Sequence, residues 1–212
     1  MGEENNTLVQ SELETAITYL NDSLSYNTID DFSVTNKKGI RYYKKDAHFP
    51  GNNHLNLLSA TQSWRTPENI ELLKISLSHC FKIMKNEVGN IMFKAKTHFI
   101  GPFNFNWHLA DFNIEDINKD SYALVWWLRS LYKLSTIGVV KDIPELRKAY
   151  DYLYHLVESK DIINKQTDKS LKRFKDILSI EDNWRNQKSI LCDIFFYGII
   201  ILHNAGYDIK EI

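Results

Sequence analysis

The 212-residue chain predicts an all-α fold. Its helices should pair antiparallel and repeat, giving a partial α/α toroid or a solenoid-like bundle. Three observations point there. Glycine (8) and proline (4) are scarce, which suits long helices better than a sheet protein rich in tight turns. Apolar residues recur every three to four positions in six separate segments. A Pro-Glu pair also punctuates the chain twice, at Pro67-Glu68 and Pro144-Glu145, each time between two apolar helical patterns. One helix pair cannot bury its own apolar face, so a repeat implies stacked neighbours.

The first segment, residues 7–24, places Val9, Leu13, Ala16, Ile17 and Leu20 on one helical face; Asn21 and Asp22 begin to break it. Residues 25–50 are mixed in pattern, and IRYYKKDAHF suits a short extended segment. Pro50-Gly51 ends this lead-in, so residues 1–51 precede a helix-pair domain over 52–212. Within it, 52–64 forms a helix capped by Asn52 or Asn53. Thr66 caps the next, with Pro67 at its first position and Glu68 at its positive end. Residues 70–84 put Ile70, Leu73, Leu77, Cys80, Phe81 and Met84 on one stripe. The pair returns as helices 120–138 and 146–158. A third begins at 186–204, where Gly206 suits the C-terminus. The pattern then stops, and an unfinished pair predicts a missing or exchanged neighbour.

Bulk properties bound the function. Apolar residues make up 43% and charged residues 25%, a globular balance. The formal net charge of -1 gives no electrostatic reason to expect a nucleic-acid partner. No apolar stretch is long enough to predict a membrane span, and the acidic, polar N-terminus is no secretory signal. Cys80 and Cys192 lie in apolar helical patterns outside any C-x-x-C motif, so both read as reduced, buried thiols of a cytoplasmic protein. The seven histidines are scattered, which predicts no metal site, and nothing calls for a cofactor.

Two loops and one helix carry chemistry. HFPGNNHL sets His48 and His54 around a turn at a helix start, where Asn53 and His54 can orient an anion. GPFNFNWHLADF alternates Phe103, Phe105 and Trp107 with Asn104, Asn106 and His108, as an extended connection with one packed face does. Its polar face, with Asp111, suits a small polar ligand over an aromatic platform. His108 and Asp111 have the spacing of a base and its orienting group, or of a simple local hydrogen bond. In helix 120–138, Trp126 and Trp127 point about 100° apart, so only one can face a cavity. Asp193 interrupts an apolar helix, and a buried carboxylate needs a partner or a polar cavity.

Helix pairs that turn at Pro-Glu and end in ILHNAGYD resemble the α/α-toroid superfamily of terpenoid-cyclase-like and prenyltransferase-like proteins and polysaccharide lyases. The resemblance covers residues 48–212. The acidic D-x-D-D run of the cyclases and the zinc-ligand order of the prenyltransferases are not present. HFPGNNHLNLL is similar to the Asn-Asn-His helix start of heparinase-type lyases, which implies Asn53 and His54 near a substrate carboxylate.

Two functions follow as expectations. One is a non-catalytic helical interaction module, a subunit of a homo-oligomer or the partner of another protein. The alternative is an enzyme of the lyase, hydrolase or transferase type acting on a glycan or small polar substrate. Its catalytic residues would be His54, His108 and Asp193, and its substrate contacts Asn53, Asn104, Asn106, Trp107, Asp111 and Trp126.

Overall fold

The computed structural model describes residues 4–85, 91–96, 98–102, 107, 109, 112–113, 121–161 and 187–209. The chain divides into two compact units. The first is Met1–His108 with Asp142–Glu145, and the second is Leu109–Lys141 with Leu146–Ile212.

In the first unit, α1 (Thr7–Ser23) packs on α3 (Asn52–Ala60) and α4 (Pro67–Met84). Each helix buries the stripe its periodicity predicts. Leu13, Ala16 and Leu20 meet Leu55, Leu58, Leu73, Leu77 and Phe81, all essentially fully buried. Local chemistry sets the helix starts. Asn6 accepts the Leu8 N–H at α1, and Thr66 accepts the Asn69 N–H ahead of Pro67 at α4. α3 starts without an asparagine cap; its N-cap is Gly51. A short α2 (Ile29–Phe32) is held by Asp31, whose carboxylate accepts the N–H groups of Asn27 and Thr28.

This unit also holds a four-stranded sheet, which corrects the all-α expectation and removes the helix-pair toroid or solenoid-like bundle as the fold class. The fold is mixed. β1 (Ser33–Thr35), β2 (Arg41–Tyr43), β3 (Met92–Ala95) and β4 (His98–Pro102) lie side by side in that order. β1–β2 and β3–β4 pair antiparallel; β2–β3 pair parallel, Tyr42 opposite Met92, with α3 and α4 between them in the chain.

The strands are three to five residues long, too short to display a period, and the turns that join them carry the stronger signal. Asn36 accepts the N–H groups of Lys38 and Ile40 through its side chain, and Gly39 takes φ +77° to close the β1–β2 turn. One face of the sheet is packed at its β1–β2 side, where Tyr43 lies against Phe32, which stacks on Phe49 at 4.1 Å between ring centroids; on the same face Phe93 is 45% exposed. Trp107 completes this core edge-on to Phe49 (5.5 Å) and Phe81 (5.2 Å).

In the second unit, α7 (Gln187–Asn204) packs on α5 (Ser121–Ile137) and α6 (Arg147–Glu158). Tyr150 is buried, and its hydroxyl donates to the Leu131 carbonyl at 2.7 Å. Tyr150 and Tyr154, one turn apart, both stack on Tyr207. α7 ends as Gly206 predicts. Gly206 takes φ +75°, its N–H donates to His203, and the Tyr207 N–H donates to Leu202. Cys80 is buried as expected, whereas Cys192 is exposed, because it occupies the face of α7 that does not meet α5 and α6.

Candidate functional site

The predicted site residues divide between the two units. His54, Asn53 and Trp107 belong to the first, Trp126 and Asp193 to the second. Asn104, Asn106, His108 and Asp111 lie outside the described residues. Phe103 and Phe105, expected to be buried with Trp107, lie outside them too. Asn53 is exposed, and Trp107 is wedged between Phe49 and Phe81.

His54 turns back on its own helix. Its Nδ1 accepts the Gly51 N–H at 3.0 Å, which places the ring proton on Nε2. Burial pushes its pKa below the usual histidine value, with Glu12 acting weakly the other way. The ring of Tyr19 contacts both imidazoles: it stacks on His48 at 4.6 Å and tilts against His54 at 4.5 Å. The His48 Nδ1–H donates to Asp22 at 2.6 Å, and the His48 backbone N–H donates to the Tyr26 hydroxyl at 3.0 Å. Asp22 thus orients His48 as a carboxylate orients a catalytic imidazole, leaving Nε2 outward. Among the described residues no serine, threonine or cysteine side chain bonds to that nitrogen. The sequence reading found both histidines but not their carboxylate partner, which sits on a helix 26 residues away.

In the second unit the two tryptophans of α5 diverge as predicted. Trp127 is buried against Phe112 and Tyr152, while half-buried Trp126 holds the Arg129 guanidinium 5.2 Å from its ring. Arg129 also acts on Lys133. Burial first, and this neighbouring cation second, bring the Lys133 amine down to about 8. Asp193 is 8% exposed on α7, one turn from Tyr197, which stacks on Tyr132 at 4.9 Å. Two open concavities flank these helices and α4. The one beside α6, about 370 Å³, is tied by a Tyr207 hydroxyl donating to Asp151. The one on α4, about 480 Å³, has its cations engaged, Lys74 by Asp142 (2.9 Å) and Lys82 by Glu145 (3.3 Å).

A further surface is the second face of the sheet. Pairing register puts Val34, Tyr42, Met92, Lys94 and Phe99 together there, because residues directly opposite across a ladder share a side. Lys94 is exposed and the other four are half-buried. Tyr42 and Phe99 lie 5.3 Å apart, tilted by 55°, and the Lys94 ammonium stands 5.1 Å over the Tyr42 ring. Sequence reasoning missed this site, since only the register of four short strands assembles it.

No group of histidine, cysteine and carboxylate side chains among the described residues is arranged to hold a metal ion. Among them, no helix is long and apolar enough to cross a membrane. No family model, curated protein or solved structure matches the chain.

Proposed function

We infer that this protein is a non-catalytic binding module whose docking surface is the second face of the sheet. One observation carries the reading. Tyr42, Met92 and Phe99 share one face of the sheet and stay partly exposed there, beside the exposed Lys94. Apolar side chains left partly in water give a partner surface to bury. The two free cysteines fit a reducing compartment, the cytoplasm.

A second reading rests on the Asp22–His48 pair: an acid–base enzyme acting on a glycan or small polar substrate. One experiment weighs the two. Backbone amide resonances are followed while a short oligonucleotide, an acidic peptide, an oligosaccharide and anionic bicelles are added in turn. The binding-module reading expects shifts confined to residues 33–45 and 91–99. Shifts centred on Tyr19, Asp22, His48 and His54 instead would reject it in favour of the enzyme.

A further inference from the structure

We propose that this second face of the sheet binds single-stranded nucleic acid. This rests on reading that face as the docking surface, and it names the partner. The argument is charge placed around stacking surface. Residues 33–45 and 91–99, the strands and turns that build the face, contain seven of the chain's 26 lysines and arginines and none of its 27 carboxylates. The whole-chain charge of -1 therefore averages a strongly basic sheet with an acidic remainder.

Two of the seven cations are engaged. Arg41 pairs with Asp30 at 2.7 Å, and the Lys44 ammonium donates to the carbonyls of Asp30 and Asp31. The other five, Lys37, Lys38, Lys45, Lys94 and Lys96, are exposed and make no ion pair among the described residues. Topology distributes them. The β1–β2 turn with Lys37 and Lys38 lies at one end of the sheet. Because β2 and β3 run parallel, Lys45 and the β3–β4 turn with Lys96 lie at the other. Lys94, Tyr42 and Phe99 occupy the span between.

Each candidate partner can be set against that arrangement. An acidic peptide supplies negative charge but no ring to stack on Tyr42 and Phe99. An anionic bilayer supplies charge and apolar depth but no planar group. A duplex carries phosphates and hides its base faces. A single strand presents a phosphate and an unstacked base at every step, which answers lysines at both ends and aromatic rings in the middle. A face four strands wide has room for about two or three stacked bases.

The test uses the full chain and fluorescence anisotropy with labelled eight-nucleotide oligo(dT) and oligo(U). Unlabelled competitors are a duplex of equal length, hepta-glutamate and vesicles of phosphatidylserine and phosphatidylcholine. Binding should weaken as salt rises, by about 20-fold or more between 50 and 200 mM if three or more phosphates are met. Removing a stacking ring, Tyr42→Ser or Phe99→Ser, should weaken it by about tenfold each. Lys94→Gln with Lys96→Gln, a surface pair that cannot unfold the core, should lower both the affinity and the salt slope. Oligonucleotide binding that ignores the ring variants would be mere polyanion attraction and overturns the proposal. So would preferential binding of hepta-glutamate or of the vesicles, although the docking-surface reading would then stand. Failure of every probe to reach residues 33–45 and 91–99 would overturn both.

Discussion

Tyr42 and Tyr43 are neighbours in the chain and opposites in the sheet, and replacing each by alanine reads the fold directly. Tyr43 is 8% exposed, with ring contacts to Phe32 and Phe93. A buried aromatic hides roughly 150–250 Å², worth about 4–6 kcal/mol at ~25 cal/mol per Å². Tyr43→Ala should therefore cost about 3–5 kcal/mol. Tyr42 is half-buried on the other side, where its ring meets Phe99 and the Lys94 ammonium, so Tyr42→Ala should cost less, about 1 kcal/mol. Urea unfolding followed on the methyl resonances of Leu55 and Leu73 reads the first unit alone. With a slope of about 2–3 kcal/mol per M, the midpoint should fall by about 1.5 M for Tyr43→Ala and by under about 0.5 M for Tyr42→Ala. Equal losses, or the larger loss at Tyr42, would mean that the second face is covered and would refute the docking surface.

Further outcomes follow from the same packing. Trp107→Ala opens a cavity between Phe49 and Phe81 and should destabilise the first unit by about 3–5 kcal/mol, measured by the same urea titration. His54 has its folded pKa lowered by burial, so the unfolded chain binds a proton more readily, from about pH 6.5 downward. Its contribution to stability is full above that pH and is lost as pH falls toward the folded pKa. Unfolding free energies at pH 7.5 and 5.5 should differ less in His54→Gln than in the parent protein. Burial lifts the Cys80 thiol to about 12, whereas Cys192 is exposed. Iodoacetamide at pH 8, read by intact mass and peptide mapping, should label Cys192 first and reach Cys80 only on unfolding.

The helices were legible because their burial is periodic. Leu73, Leu77, Cys80, Phe81 and Met84 announce one face of α4, and Thr66-Pro67 marks its start to the residue. The sheet was not legible, because a three-residue strand such as Arg41–Tyr43 shows no repeat. Its evidence lay in turn chemistry, Asn36 to Gly39, and in pairing with Met92, which no local window contains. The same limit hid the candidate site. Tyr42, Lys94 and Phe99 become neighbours only through register, and Asp22 meets His48 only because α1 packs beside the turn that carries it. Charge is legible only as a total there: a near-neutral sum contains two runs free of acid, residues 33–45 and 91–99.

The parallel junction of β2 and β3 has a consequence during synthesis. β2 emerges from the ribosome well before its partner, since α3 and α4 must be made in between. Until β3 arrives, the β1–β2 hairpin is a two-stranded ribbon with both edges bare, the β2 edge being the one β3 will cover; it is too small to persist alone and able to pair with a neighbouring nascent chain. Lys37, Lys38, Arg41, Lys44 and Lys45 crowd that ribbon with like charge, and like charge repels a second copy. These lysines thus act first as gatekeepers, keeping the edge vacant for the strand that belongs there.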